Sequence, residues 1–226
     1  MATSIESPPP PGPDREGLDG LLQAFPQGRL SEIVGPRSSG GSSLLLALLA
    51  HAVGRGGVVA LVDASDTLDP AVAARAGLDL RGLLWVRCGG RLPVAWRATD
   101  LLLRCPGFAA VALDVGESAS APPGMGVRLQ RAVAGGESIL VVRGPRHLLG
   151  SAAALVVSVR RVRTRWNSQC GGGVWGRSGA APPQNRFGVP RPLRLGGLVS
   201  EARVVRSRSD PRLAMPERAW LLEWRT

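Results

Sequence analysis

Six short apolar runs alternate with segments of helical length in the first 159 residues of the chain. The runs are residues 32–34, 58–62, 83–86, 109–113, 138–142 and 155–159. They are rich in Val, Leu and Ala and do not alternate with polar residues, a pattern typical of strands covered on both faces of a parallel sheet. Between them, the pair Asp69 and Pro70 predicts an N-cap and a first helical turn. The sequence therefore predicts an α/β fold with a mostly parallel sheet flanked by helices.

A glycine-rich loop, GPRSSGGS at residues 35–42, joins the first predicted strand to an apolar helical segment. In a Walker A loop, G-x-x-x-x-G-K-[ST], backbone N–H groups surround phosphate, a lysine neutralises it, and a Ser or Thr binds Mg²⁺. Gly35, Gly40 and Ser42 stand at the expected positions, but Gly41 stands where the lysine is required. All 28 basic residues of the chain are arginines, so no other lysine can replace it. Taken alone, the loop is equally compatible with an ordinary strand-to-helix turn.

The surroundings of this loop resemble the RecA recombinase family. GRLSEIVGPRSSGGSS at residues 28–43 resembles the P-loop and the strand before it, and the resemblance continues through residues 61–85. FAAVALD at residues 108–114 resembles the Walker B strand of the family. The resemblance implies a RecA-like P-loop core. It also implies a nucleotide site, degenerate in this chain, formed by Gly35, Pro36, Ser38, Ser39, Gly40, Gly41, Ser42 and Asp114.

The chain departs from the family at three positions that carry chemistry. Gly41 replaces the P-loop lysine, Ser65 stands at the position of the acid that activates water, and Asp66 is out of register by one residue. In SILVVRGPR, residues 138–146, Arg143 and Gly144 stand where the family has a polar sensor residue, a glutamine. Because lysine, acid and sensor are absent together, we expect a pseudo-ATPase with no catalytic residues and no required cofactor. Weak binding of ATP with Mg²⁺, or of another anion, stays open.

Positive charge is concentrated in the C-terminal part of the chain. Residues 1–159 contain 14 arginines and 13 acidic residues, whereas residues 160–226 contain 14 arginines and 4 acidic residues. A clustered positive charge is typical of a surface that binds nucleic acid or an acidic protein. A GC-rich coding bias would explain arginine in place of lysine, but it does not explain the loss of acidic residues after residue 159.

An arginine-rich strand begins this basic part. In LVVSVRRVRTRW, residues 155–166, an extended backbone would place Arg161, Arg163 and Arg165 on one face. Such a row would follow a phosphate backbone while a tryptophan stacks on a base. The alternative is an edge strand whose charges prevent aggregation. Two tryptophans near the C-terminus suit either a closing strand or a partner anchor. The candidate contacts to a partner or DNA are Arg160, Arg161, Arg163, Arg165, Trp166, Trp220 and Trp224.

Composition divides the chain into three parts. Residues 1–27 form a partly disordered leader with a short helix near residues 17–25, residues 28–166 form the core, and residues 167–226 form a basic C-terminal extension. Within the extension, residues 171–197 are rich in Gly, Pro and Arg without periodicity, which predicts a loop or a disordered segment.

The sequence gives no signal for a membrane span, a secretory leader or a metal site. Its longest apolar stretch is far shorter than the ~20 residues that cross a bilayer. Cys88, Cys105 and Cys170 have no C-x-x-C spacing, and neither His51 nor His147 has a carboxylate or cysteine at metal-ligand spacing. We therefore expect a cytoplasmic protein that binds no membrane and no metal.

Among RecA-like proteins, the combination of a degraded P-loop, short linkers after Asp114 and Val142, and a basic extension resembles the ImuA family. These are accessory proteins of bacterial damage-inducible (SOS) mutagenesis cassettes. In the RecA family the loops at the two linker positions contact single-stranded DNA, so their reduction argues against a recombinase filament.

The ImuA resemblance implies a non-catalytic adaptor in translesion synthesis, a form of error-prone DNA repair. Its implied partners are an ImuB-like inactive Y-family polymerase homologue and an error-prone replicative-type polymerase, with RecA and DNA as further candidates. Two alternatives stay open. One is an active RecA-like ATPase or recombination mediator, and the other is a sequence-independent DNA-binding module.

Overall fold

The computed structural model describes residues 15–117, 120–168, 174–175, 193–214 and 219–225. The helices in this part of the chain are α1 (Arg15–Gln23), α2 (Gly41–Gly54), α3 (Pro70–Arg75), α4 (Leu92–Leu102) and α5 (Met125–Val133). The strands are β1 (Leu30–Val34), β2 (Val58–Asp63), β3 (Leu83–Arg87), β4 (Phe108–Asp114), β5 (Ile139–Gly144), β6 (Leu155–Ser168), β7 (Val174–Trp175), β8 (Leu193–Ser207) and β9 (Ala219–Arg225).

These strands form one sheet in the order β3-β2-β4-β5-β1-β6-β8-β9, with β7 beside β6. Strands β1 to β6 pair in parallel, and β6 to β9 pair in antiparallel fashion. The six apolar runs predicted as strands coincide with β1 to β6. The predicted α/β class, with a mostly parallel RecA-like sheet flanked by helices, is confirmed.

Two apolar cores cover the two faces of the parallel strands. In β4, Ala110 and Ala112 belong to the core beneath α2, whereas Val111 and Leu113 belong to the core beneath α4 and α5. Trp96 of α4 is fully buried in the second core. Because each central strand is covered on both sides, its residues are apolar at successive positions instead of alternate ones.

Helix α1 packs on the core of its own chain. Leu21, Leu22 and Phe25 are buried in the core beneath α2, and the helix also contacts β9. The short helix predicted near residues 17–25 is therefore present. Residues 1–14 of the predicted leader lie outside the described residues.

The basic C-terminal strands complete the sheet. Strand β8 pairs with β6 along the length of β6, and β9 pairs with β8. Val199, Ala202, Val204 and Leu222 are buried between these strands and the rest of the fold. The prediction of a loop or disordered segment is wrong for residues 174–175, which form β7, and for residues 193–197, which belong to β8. The other residues of 171–192 lie outside the described residues. The edge-strand interpretation of β6 is also wrong, because β6 lies between β1 and β8.

A β-bulge in β6 changes the predicted arginine row. The pairing of β6 with β8 shifts register between Arg161 and Arg163, so that Arg161 lies opposite Ser200 and Arg163 lies opposite Val199. Neighbouring residues of β8 point to opposite faces of the sheet, and directly paired residues share a face. The prediction that Arg161, Arg163 and Arg165 share one face is therefore wrong for Arg161. The extra residue of the bulge moves it to the opposite face.

Within the described residues, no helix has the length and apolar character needed to cross a membrane.

Replacing Leu222 by Ala should destabilise the whole domain, because Leu222 is 2% exposed and belongs to the core beneath α2. The expected loss in free energy of unfolding is about 2–4 kcal/mol, measured by urea denaturation. Leu221→Ala on the same strand is the matched control, since Leu221 is 39% exposed and should lose less than about 1 kcal/mol. Equal losses in the two variants would contradict the packing of β9 described above.

Candidate functional site

The loop between β1 and α2 is held against the sheet by its backbone. The N–H of Gly35 donates a hydrogen bond to the carbonyl oxygen of Gly144 at the end of β5, at 3.1 Å. A β-carbon on Gly35 would overlap the carbonyl oxygen of Val159 in β6. Only glycine therefore fits at this position, and the loop begins in close contact with two neighbouring strands.

The rest of the loop turns its backbone sharply before α2. Ser38 and Gly40 both have positive φ angles, of 56° and 98°. Ser39 is fully buried, and its Oγ accepts a hydrogen bond from the N–H of Gly41 at 3.3 Å. Pro36 and Ser42 are exposed at the two ends of the turn. The N–H groups of Gly35, Ser39 and Gly41 thus donate to acceptors within the chain, and the turn leads directly into the 14-residue helix α2.

Arg143 of β5 lies beside Gly41, which stands where the resemblance predicts a lysine. A β-carbon on Gly41 would lie 3.5 Å from Arg143 Nε. The guanidinium of Arg143 donates to Asp114 Oδ1 and to the carbonyl oxygen of Gly116, each at 3.2 Å, and lies 3.7 Å from the carboxylate of Glu117. A buried cation therefore lies between the loop and Asp114, the acid predicted at the Walker B position.

The parallel register explains how Arg143 and Asp114 meet. The two residues are direct partners at the carboxyl ends of β5 and β4. Burial raises the pKa of Asp114 above its ordinary value, while Arg143 and the N–H of Gly116, 2.8 Å from Oδ1, act in the opposite direction. The charge of Asp114 is thus balanced by a group of the chain itself.

The carboxylates that line the adjacent cleft are all engaged within the chain. The cleft has a volume of about 270 Å³ and lies between the start of α2, the end of β2 and α3. Asp63 accepts two backbone N–H groups of the loop that follows it, at 3.2 and 2.9 Å. Asp69 caps α3 through two N–H groups at 2.8 and 3.2 Å. Asp114 pairs with Arg143.

Ser65, at the position predicted for a water-activating acid, supplies no carboxylate. Ser65 follows the end of β2, and its hydroxyl lies against Gly116, where a β-carbon would overlap it. Asp66, one residue later, contacts Arg87 at 3.2 Å and the N–H of Gly89 at 3.3 Å, at the end of β3. The nearest acid in sequence is therefore bound to another part of the fold.

The C-terminal strands contact the loop directly. Ser200 of β8 donates a hydrogen bond to the carbonyl oxygen of Ser39 at 2.5 Å, and Trp224 of β9 donates its indole N–H to Ser200 Oγ at 3.2 Å. Trp220 and Trp224 are partly buried against the core beneath α2. Sequence reasoning missed Ser200, because nothing local indicates that a serine 161 residues away from Ser39 contacts it.

The candidate arginines differ in their surroundings. Arg160 forms an ion pair with Glu201 at 2.6 Å, and Arg165 forms one with Glu223 at 2.6 Å. Arg161 and Arg163 are exposed, and neither has an ion-pair partner in the part of the chain that the structure describes. Trp166, farther along the same strand, is exposed as well.

A buried glutamate fixes the linker that follows β5. Glu32 of β1 is 1% exposed, and its Oε1 accepts the N–H groups of Leu148 and Leu149 at 2.9 and 3.1 Å. Its other oxygen contacts Nδ1 of His147. The sequence does not indicate this pair, because the two residues are brought together only by the parallel pairing of β1 and β5.

Gly40→Ala should destabilise the protein more than a glycine change at a similar backbone angle in open space. A β-carbon on Gly40 would overlap Ser200 Oγ and lie 2.8 Å from Trp224 Nε1. Gly107→Ala is the matched control, since Gly107 has φ 101° with nothing within 4 Å. We expect a loss of about 1–2 kcal/mol for the control and about 1–3 kcal/mol more for Gly40→Ala, by urea denaturation. Indistinguishable losses would contradict the contact between the loop and β8.

Glu201→Gln should lower stability at neutral pH but not in acid. The side-chain hydrogen bond from Arg160, aided by Arg203, lowers the pKa of Glu201 in the folded state. A lowered carboxyl pKa contributes stability above the unfolded value and loses it as the pH falls through the folded value. Urea midpoints of the wild type and Glu201→Gln should therefore converge below about pH 4. Glu137→Gln, at an exposed position, is the control. A difference between wild type and Glu201→Gln that persisted in acid would contradict the pairing.

Part of the chain is similar in sequence to RecA proteins. The family model of the RecA N-terminal domain matches residues 17–115. The chain is 37% identical over 124 residues to RecA of Allorhizobium ampelinum, a match that covers 50% of this chain and 33% of that protein. It is 48% identical over 60 residues to RecA of Chlorobaculum parvum, covering 26% and 17%. The chain thus spans about a third or less of the length of these curated relatives.

The fold is similar to a solved recombinase structure over nearly the whole chain. The crystal structure of the RadB recombinase superposes with a TM-score of 0.57 at 16% identity, and the match covers 93% of each chain. At this identity the likeness concerns the fold. Together, the sequence matches and the shared architecture support a relationship of this chain to the RecA-like recombinase family.

Proposed function

We propose that this chain is a non-hydrolysing RecA-like adaptor in DNA-damage-induced translesion synthesis, of the ImuA type. The observation that carries the proposal is the ion pair between Arg143 and Asp114. It engages the Walker B carboxylate at the site where a hydrolytic enzyme needs it for Mg²⁺.

The residues present do not fit a hydrolytic site with Mg²⁺. Oδ1 of Asp114 already accepts the guanidinium of Arg143 and the N–H of Gly116. Gly41 supplies no charge to the phosphates, and Ser65 supplies no general base. Phosphoryl transfer depends on charge neutralisation and on a positioned water, and these residues provide neither.

Two features of the fold favour an adaptor over a recombinase filament. The linker after β5 is held to the core by Glu32, which accepts the N–H groups of Leu148 and Leu149. Helix α1 is packed on its own chain through Leu21 and Leu22. The linker and helix α1 are thus both engaged within the chain. This arrangement suits a RecA-like core that serves as a scaffold for partners.

The proposed contacts are exposed side chains of β6 that lie on the two faces of the strand. Arg161 and Arg163 lie on opposite faces of β6 near the exposed Trp166. Arginine and tryptophan are favoured at protein interfaces, and both also suit DNA. The proposed partners are an ImuB-like inactive Y-family polymerase homologue and an error-prone replicative-type polymerase, with RecA and DNA as further candidates.

Affinity capture from DNA-damaged host cells, with nuclease added, tests this proposal. A truncation at residue 160 is unsuitable, because β8 and β9 carry buried core residues such as Val204 and Leu222. The test variant is Arg161→Ala/Arg163→Ala. The matched control is Arg75→Ala/Arg131→Ala, which removes the same charge from exposed positions on α3 and α5. We expect the wild type and the control to recover a polymerase-like protein and the test variant to recover at least about tenfold less of it, because both exposed arginines are removed.

Two outcomes would overturn the proposal. Loss of all enrichment after nuclease treatment would favour the sequence-independent DNA-binding module. Phosphate release from ATP by the same preparations, abolished in Asp114→Ala, would identify an active ATPase instead.

A further inference from the structure

A second cavity lies at the edge of the sheet opposite the glycine loop. It has a volume of about 640 Å³ and is enclosed by the end of α1, the end of α2 and the amino ends of β4 and β5. A volume of this size accommodates one small ligand, since such sites commonly measure about 300–1,000 Å³. The residues of the glycine loop do not line it.

The floor of this cavity is apolar and is part of the main core of the fold. Leu22, Phe25 and Leu48 are buried, and all three belong to the core beneath α2. Ala52 and Ala109 line the cavity with methyl groups only, where larger side chains would take up part of the volume. A ligand bound here would therefore place an apolar part against this floor.

Four polar side chains lie around the mouth of the cavity. Gln23, Gln27 and Arg55 are exposed, and His51 is half-buried. In the part of the chain that the structure describes, none of these four side chains has a hydrogen-bond or ion-pair partner. The carboxylates of the cleft beside α3, in contrast, are all engaged within the chain. The donors at this mouth can therefore bind a ligand without breaking a contact of the fold.

The charge of the lining favours an anion. Arg55 carries a positive charge, His51 can donate from its ring, and among the described residues no acid lines the cavity. Basic side chains at the end of a helix often interact with the last carbonyl groups. Two of these carbonyls in α2 already have backbone partners, because they accept the N–H groups of Gly56 and Gly57 at 2.8 and 3.1 Å. The guanidinium of Arg55 can therefore pair with a carboxylate of a ligand.

We propose that this cavity binds a small carboxylic acid with an apolar body. Its carboxylate pairs with Arg55, and its apolar part lies against Leu22, Phe25 and Leu48. Such a ligand contacts both α1 and α2, so that its binding stabilises the packing of α1 on the core. The site is independent of the adaptor function, because none of the contacts proposed on β6 lines the cavity.

Calorimetric titration of the full chain with octanoate tests the proposal. The control ligands are acetate, which has the same head group without the apolar body, and octanol, which has the apolar body without the charge. Both are titrated at the same ionic strength, because a chain with a net charge of +11 attracts anions without a specific site. We expect octanoate to bind at least about tenfold more tightly than either control and to raise Tm. Amide hydrogen exchange should slow in residues 15–25, because the ligand holds α1 in place.

The variant that removes the charge is Arg55→Gln, which leaves no buried group unpaired because Arg55 is exposed. Its matched control is Arg75→Gln, since Arg75 is an exposed arginine in the last turn of α3. The control loses the same charge from the end of another helix. We expect the affinity for octanoate to fall about three- to tenfold in Arg55→Gln and to stay unchanged in Arg75→Gln.

A second pair of variants tests the volume of the cavity. Ala52→Leu fills part of the floor, whereas Ala50→Leu adds the same volume to α2 outside the lining. We expect octanoate to bind at least about tenfold more weakly to Ala52→Leu and as tightly as the wild type to Ala50→Leu. Thermal unfolding without ligand shows that both variants fold, and the charge variants decide the proposal if Ala52→Leu does not.

Three results would each overturn the proposal: no binding of octanoate, equal binding of octanoate and one of the control ligands, or unchanged affinity in Arg55→Gln. None of them bears on the adaptor function, which is tested separately by recovery of a polymerase-like protein.

Discussion

The parallel alignment of β1, β4 and β5 determines what this site can do. Parallel strands bring their carboxyl ends to one edge of the sheet. The loop that follows β1, Asp114 at the end of β4 and Arg143 near the end of β5 therefore meet at that edge. An arginine at this position of β5 can reach the acid of β4 because the two residues are direct neighbours in the sheet. The parallel register thus places a cation directly against Asp114 at this edge of the sheet.

The C-terminal strands have a structural role as well as a charged surface. Their apolar positions, such as Val204 and Leu222, fill the core beneath α2. Ser200 and Trp224 connect β8 and β9 to the backbone of the glycine loop. Part of the basic charge is neutralised within the sheet, because Glu201 pairs with two arginines. The high arginine content of this region is therefore larger than the positive charge that its surface presents to a partner.

Sequence reasoning was most successful where burial follows a simple rule. The strands β1 to β6 and the helices between them were predictable, because residues covered on both faces must be apolar. The sequence also shows that residue 41 is not a lysine and that residue 65 is not an acid. Both positions are identified by counting along the chain within the stretches that resemble the RecA family. The row of Arg161, Arg163 and Arg165 was predicted incorrectly, because a bulge depends on the partner strand and leaves no clear local signal.

The sequence by itself therefore determined the α/β class, the position of the glycine loop and the absence of a lysine from it. These properties depend on local pattern and on spacing along the chain. Only the tertiary structure decided that Arg143 fills the space beside Gly41, that Glu32 pins the linker after β5, and that Ser200 contacts the loop. Each of these contacts joins residues that are 102 or more positions apart, which no local pattern encodes.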